Sequence, residues 1–273
     1  TLADKVNVVV TALDACPRYG ARVLKGINNQ AKTPAQITTY LNHAGIHSIS
    51  PVVDILNYVM LLLGQPMHGF DLQKIDGDIQ VRFAKDQETL ALLNDMTVTL
   101  TPKFLVIADN KKALAIAGIM GGKNSEVDRT TTNVLLESAF FTPDVIVGRA
   151  RQFGLHTDAS HRFERGVDPE LTVEHIERIT QLVLEICGTP QTTVGPIDDQ
   201  RVNMPVAQPV TLRVARAEKV IGMPLTQQRV ADALRALDLP VTESDGAVTV
   251  QPPSFRFDLQ IEEDLIEEVA RMV

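Results

Sequence analysis

Between residues 79 and 121 the apolar residues come in short runs, IQVRFA, TVTL, FLVIAD and ALAIAGI, with turn-forming residues between them. Runs of that length and β-branched content specify strands. On either side the apolar spacing changes to that of a helix. Residues 51 to about 63 place Val52, Ile55, Tyr58, Val59 and Leu62 at helical intervals and stop at Gly64, and residues 169–187 (PELTVEHIERITQLVLEIC) form a second helical stretch closed by Gly188. Any fold of this chain has to accommodate a strand-rich centre flanked by helices.

The remaining elements fit around that frame. Residues 5–13 and 21–29 read as strands, and NVLLE (133–137) as another. Thr33-Pro34 opens a helix to about residue 44, with threonine at the cap, proline at the first position and Gly45 at the stop. A further helix follows Thr142-Pro143 and runs to about 153. Residues 188–209 hold four prolines together with Gly188 and Gly195, which marks a linker or irregular crossover and a domain boundary near 205. Beyond it come a strand (VTLRV, 210–214), a helix from Pro224 to Leu237, a strand in AVTVQPP (247–253) and a last helical stretch, 260–273, that has no cap. The opening Thr-Leu-Ala-Asp-Lys is not a secretory signal, and both ends read as cut from a longer protein.

Composition removes several classes. The 273 residues are 44% apolar, enough for a real core and against disorder. The longest apolar candidate, 51–63, contains Asp54 and Asn57 and falls short of the roughly 18 residues of a membrane helix. Only two cysteines, Cys16 and Cys187, are present, which excludes a disulfide scaffold and a four-cysteine zinc site and points to reduced thiols in the cytoplasm. With 26 basic and 34 acidic residues the net charge is −8, against a protein that coats nucleic acid by bulk charge.

Five segments carry candidate chemistry. Gly118-Ile-Met-Gly-Gly-Lys123 is not a phosphate loop, because Ala117 and Asn124 stand where that motif needs Gly and Ser or Thr. It is a tight strand turn, or a place where backbone must approach a ligand closely. His68 lies in GQPMHGFD, read as a loop, where it is either a functional histidine or a structural one bonding a carbonyl. Glu137 ends NVLLE in apolar surroundings, so it pairs, accepts hydrogen bonds or caps the helix that begins near 143. Residues 149–165 (RARQFGLHTDASHRFER) are the one basic stretch, a solvated face or a phosphate contact. The run DLQIEEDLIEE (258–268) holds six acids; Asp264, Glu267 and Glu268 lie within one helical turn, which suits either Mg²⁺ or a solvated helix N-terminus. The six histidines lack zinc-ligand spacing.

Taken together, ACPRYGARVLKGIN, PVVDILNYVMLLLGQPMHGFD, LVIAD with ALAIAGIMGG, NVLLESAFF, GRARQFGLHTDASHRFERGVDP and PPSFRFDLQIEEDLIEEVAR closely resemble the beta subunits of bacterial phenylalanine–tRNA ligases, in order and over nearly the whole chain. The resemblance implies an α+β fold: a mixed-sheet editing domain over 1–204 (core about 14–188, plus linker), then a small winged-helix-like module over 205–273. It implies hydrolysis of tRNA(Phe) mischarged with tyrosine, inside an α2β2 enzyme whose alpha subunit carries the ATP-dependent aminoacylation site; the fragment itself has no ATP-binding motif. On residues, it implies His68 near the ester, Glu137 receiving the tyrosine hydroxyl, Gly121 at the catalytic turn, Pro66, Thr157 and Ala159 around the substrate, and Asp258, Asp264, Glu267 and Glu268 as Mg²⁺ ligands near the alpha subunit. His47, Ser50 and Gly69 depart from the family's usual Arg, Asn and Ala. Two rival readings are a non-catalytic module that binds tRNA or the alpha subunit, and a winged-helix DNA binder. The second is opposed by 7 basic against 11 acidic residues in 207–273.

Overall fold

A computed structural model of the chain describes residues 5–273. It has two compact units, which divide between residues 204 and 205. Among the described residues no helix is long and apolar enough to cross a membrane.

The first unit runs β1 (Val8–Val10), β2 (Arg18–Lys25), α1 (Ala35–His43), α2 (Pro51–Leu63), β3 (Met67–Asp71), β4 (Ile79–Phe83), β5 (Glu88–Ala91), β6 (Thr97–Leu100), β7 (Leu105–Ala108), β8 (Ala113–Ile116), β9 (Met120–Gly121), β10 (Asn133–Phe140), α3 (Pro143–Ile146), α4 (Asp158–Phe163), α5 (Thr172–Cys187), β11 (Thr193–Val194) and β12 (Asp198–Arg201). One sheet has the order β1-β4-β7-β8-β9; β1 and β4 are parallel and its other pairs antiparallel. The second sheet has the order β11-β2-β10-β3, with β12 also on β2, and is antiparallel throughout. This is the mixed α+β architecture expected.

Strand periodicity decides where the cores lie. Tyr19, Ala21, Val23, Phe70, Leu135 and Ala139 share one face of the second sheet and pack against Ile79, Val81 and Leu105–Ala108 of the first. The alternate positions Leu24, Val134 and Leu136 turn the other way, onto Ile55 and Val59 of α2 and Ile179 and Val183 of α5. The second sheet is therefore a middle layer, buried on both faces. Each fully buried apolar side chain there contributes roughly 1.5–3 kcal/mol.

Two buried charges stitch the unit. Asp54, fully enclosed in the first turn of α2, accepts from Thr33 Oγ1 and Ser48 Oγ (both 2.6 Å) and from the Ile49 amide (2.9 Å). Thr33 was expected to cap α1; its hydroxyl goes to Asp54, and Pro34 takes the cap position without a side-chain bond. Arg18, 3% exposed, forks onto Asp199 of β12 (2.8 Å twice) and donates to the carbonyls of Pro169 and Glu170 (2.8 and 2.6 Å), ahead of α5.

Other expectations shift. GQPMHGFD is not a loop: Met67–Asp71 is an edge strand on β10. The helix expected over 142–153 is one turn, α3, followed by a 3-10 turn at Ala150–Phe153, because the backbone becomes extended at Val147 and Gly148 adopts a left-handed φ of +73°. The 188–209 segment contributes β11 and β12 to the middle layer.

The second unit runs β13 (Val210–Arg213), α6 (Val214–Ile221), α7 (Gln227–Arg235), β14 (Val241–Ser244), β15 (Ala247–Val250) and α8 (Glu262–Met272). Its antiparallel sheet has the order β13-β15-β14. Leu212, Val248 and Val250 of the sheet bury against Ala217 of α6, Val230 and Leu234 of α7, and Leu265 and Val269 of α8. Neither α6 nor β14 was expected from the sequence.

Arg18→Ala should lower the stability of the first unit by about 3–5 kcal/mol, because it strands a carboxylate and two carbonyls where the guanidinium was buried. Urea denaturation of variant and parent checks it; a difference within 1 kcal/mol, roughly what an exposed ion pair contributes, would contradict this role.

Candidate functional site

β3 and β10 pair with His68 directly opposite Glu137, and β10 pairs with β2 so that Glu137 faces Ala21 and Ala139 faces Tyr19. Alternation then brings Tyr19, His68 and Glu137 onto one face of the sheet. Gln65, buried at the entry to β3, donates from Nε2 to the Ala139 carbonyl (2.9 Å) and fixes where Pro66 and His68 begin.

These residues border a cavity that opens to solvent. Pro66, His68, Gly121, Glu137 and Ala159, all anticipated as site residues, line it together. The rest of the wall is apolar: Ile107, Ile116, Ile119, Met120 and Phe163 among others. Thr157 is not on the wall. Its hydroxyl donates to the Ile119 carbonyl (2.9 Å) and accepts from the Ser160 amide (3.0 Å), so it caps α4 and ties that helix to the turn before β9. Ala159, in the first turn of α4, is thereby placed at the wall.

Residues 117–119 turn the chain from β8 into β9, which carries Gly121. A Cβ on Gly121 would stand 2.5 Å from His68 Cε1 and 2.7 Å from His68 Nε2. The close approach suspected from sequence is made by the protein's own imidazole. That ring meets Phe70 edge-on, with centroids 4.6 Å apart. Its Nε2 is fully enclosed and has no hydrogen-bond partner. Burial pulls His68 down to about 4, so the ring is neutral at physiological pH.

Glu137 is 7% exposed. It does not cap a helix: Tyr19 donates from Oη to Glu137 Oε2 at 2.6 Å. Burial pushes the carboxyl up to about 7, against the opposing pull of the Tyr19 hydrogen bond. Burial and then the charge of Glu137 push the Tyr19 hydroxyl well above its ordinary value, which keeps it a donor. The nearby Cys16 thiol is raised for the same two reasons and is no nucleophile. Tyr19 was missed from the sequence. Its alternation with Ala21 and Val23 was visible, but its carboxylate partner depends on the register of β2 on β10.

The basic stretch is largely self-paired. Arg162 bonds Asp158 (2.8 Å), Arg151 lies 3.7 Å from Glu164, and Arg165 donates to the His161 carbonyl.

In the second unit the four carboxylates expected to bind Mg²⁺ do not gather. Among the described residues no group of three His, Cys, Asp or Glu side chains is arranged to hold a metal. Asp258 and Glu268 converge on Arg256 (2.7 and 2.8 Å), Glu267 pairs with Arg271, and Asp264 accepts from the Gln260 and Ile261 amides at the start of α8. Glu262 and Glu263 pair with Arg213 and Arg216. As arranged in this chain, these carboxylates are held by Arg256, Arg271 and the amides at the start of α8.

Comparison with known proteins locates both units. A family model described as the B3/4 domain matches residues 15–188, and one described as the tRNA synthetase B5 domain matches residues 210–273. The phenylalanine–tRNA ligase beta subunit of Cupriavidus pinatubonensis is 52% identical over 276 residues, covering 100% of this chain and 34% of the relative. That of Ralstonia nicotianae is 51% identical over 272 residues, covering 100% and 33%. A crystal structure of an N-terminal fragment of the phenylalanyl-tRNA synthetase beta-subunit from Pyrococcus horikoshii is 16% identical, with a TM-score of 0.46, covering 97% of this chain and 74% of that one. The chain spans about a third of the length of the curated relatives it matches.

Two predictions follow from the geometry. Gly121→Ala should cost about 1–3 kcal/mol by overpacking against the His68 ring. Most of that cost should vanish when the change is made in a His68→Ala background, and a double-mutant cycle by denaturation reads the coupling; additive effects would mean that the two residues do not press on each other.

The second concerns pH. Glu137 titrates at about 7 in the fold against an ordinary 4.5, so the native state keeps a proton the unfolded chain has lost. Its stability contribution is whole below pH 4.5 and falls as pH rises to 7, by about 3 kcal/mol. His68 has the opposite sign: at about 4 against an ordinary 6.5, it carries no penalty above 6.5 and a growing one as pH falls to 4. Relative to the parent, Glu137→Gln should therefore lose stability on acidification from pH 6.5 to 4.5, and His68→Gln should gain it. Parallel slopes in denaturant titrations would contradict the assignment.

Proposed function

The chain belongs to the family of phenylalanine–tRNA ligase beta subunits, and we propose that its B3/4 unit is an editing site that hydrolyses tyrosine from mischarged tRNA(Phe). The observation that carries this reading is Glu137, which already accepts one phenolic hydroxyl at 2.6 Å and is, among the described residues, the one carboxyl on a cavity wall whose other polar side chain is His68. Phenylalanine and tyrosine differ only in such a hydroxyl. An apolar pocket rejects an added hydroxyl weakly, whereas a site that bonds it discriminates by up to roughly 10⁴–10⁵.

The chemistry is direct attack of water on the ester. Among the described residues the cavity wall carries no Ser, Thr or Cys to form an acyl-enzyme. His68, neutral and with Nε2 unpartnered, is the group suited to orient the water or the terminal ribose hydroxyl. Gly121 lets that ring lie against the turn, and Ala159 leaves room for the amino-acid side chain. In this proposal the unit works in the cytoplasm, within an enzyme completed by an alpha subunit that joins phenylalanine to tRNA(Phe) with ATP. Magnesium at 258–268 has no support in the arrangement of this chain, and no step is assigned to it.

The second reading, a binding module with an inactive pocket, draws on the same bond: Tyr19 satisfies part of Glu137 and gives it a structural role. Deacylation separates the two. Glu137→Ala should slow release of tyrosine from tyrosyl-tRNA roughly 10- to 150-fold, the worth of one hydrogen bond to a charged group, and leave the background on phenylalanyl-tRNA level or higher. His68→Ala should lower both rates together. Equal losses on both substrates for Glu137→Ala would remove its specificity role, and an inactive parent chain would favour the binding module.

A further inference from the structure

Tyr19 is wholly buried on the face of β2 that looks toward the cavity, and its hydroxyl has one partner, Glu137 Oε2. Among the described residues this is the only hydrogen bond that the Glu137 side chain makes; Oε1 has no protein partner, and Glu137 lines the cavity. A tyrosine and a glutamate bonded only to each other inside an apolar core carry no stability advantage over two apolar side chains of similar size. The arrangement acquires a purpose if the carboxyl has two acceptor oxygens and the protein occupies one of them.

We propose that Tyr19 is a positioning residue for specificity: by holding Oε2 it fixes the plane of the Glu137 carboxyl and presents Oε1 to the hydroxyl of a ligand's aromatic ring. The inference rests on the editing reading for the nature of that ring and adds the residue that aims the acceptor. Glu137 then receives two phenols, one from the fold and one from the ligand. The second is admitted only where the first has turned the carboxyl.

The groups around Glu137 leave Tyr19 without a substitute. His68 stands opposite on β3, with an unpartnered Nε2 and a neutral ring. Cys16 approaches from the segment before β2 and is protonated. The wall residues supplied by α4 and by the first sheet, Ala159, Phe163, Ile107 and Ala115, carry no charge. Tyr19 is thus the one hydrogen bond that favours the ionised form of Glu137.

Tyr19→Phe tests this, because it keeps the ring and removes only the hydroxyl. Carbon-13 NMR of the Glu137 carboxyl should show its titration midpoint moved to higher pH in the variant, since a bond to the charged form is lost. Affinities for tyrosinamide and phenylalaninamide, read from the same spectra, should favour tyrosinamide in the parent chain. The variant should lose about ten-fold of that preference, the order of one hydrogen bond to a carboxyl, with phenylalaninamide binding changed less than two-fold. An unmoved midpoint, an intact preference or an equal loss for both ligands overturns the proposal, as does a parent chain with no preference. A parent chain that prefers tyrosinamide but releases no tyrosine from tyrosyl-tRNA refutes the editing reading and leaves the role of Tyr19 standing.

Discussion

β10 is buried on both faces and hydrogen-bonded on both edges, and the first unit is organised by what such a strand tolerates. Seven of its eight residues are buried. Leu135 and Ala139 serve the core between the sheets, and Val134 and Leu136 serve the core under α2 and α5. A polar side chain in that strand must find a partner or carry a cost. Glu137 finds Tyr19. Ser138, one residue on and facing the other way, leaves Oγ without a partner. The register of β2 and β3 on β10 sends alternate residues into two different cores, and that register places Tyr19 and His68 beside Glu137.

Charge is handled differently in the two units. In the first, the buried Arg18 and Asp54 each gather several hydrogen-bond partners. In the second, the acid-rich run from Asp258 to Glu268 is matched by arginines 213, 216, 256 and 271 from elsewhere in the unit or from the same helix. A segment that reads as a concentrated negative field is a lattice of ion pairs, and Asp264 complements the N-terminal amides of α8.

What could be read from the sequence depended on whether the signal was local. The helix at 51–63 and the strands between 79 and 121 announce themselves by spacing and stops, and they are found where expected. β3 was hidden because Pro66 and Gly69 give Met-His-Gly-Phe-Asp the texture of a turn; its strand geometry is imposed by pairing with β10. β12, the all-polar Asp-Asp-Gln-Arg, has no strand signature, and it is held by backbone pairing to β2 and by the Arg18–Asp199 fork. α6 follows β13 with no intervening stop, so the strand reading ran over its first residue. In the site, His68, Glu137 and the glycine turn stood out by their own chemistry and took their roles from the family resemblance, while Tyr19 required knowledge of which residues face each other across two strands. The acids at 258–268 were legible as a cluster, but the arginines that meet them here come from outside that run.

The contact between Gly121 and the His68 ring also constrains descent. Any side chain acquired at 121 first would press on the imidazole and disturb its packing. A lineage that lost the histidine first would free position 121 to drift, and a later return of histidine would meet an occupied space. The two positions therefore limit each other: what one can hold depends on what stands at the other.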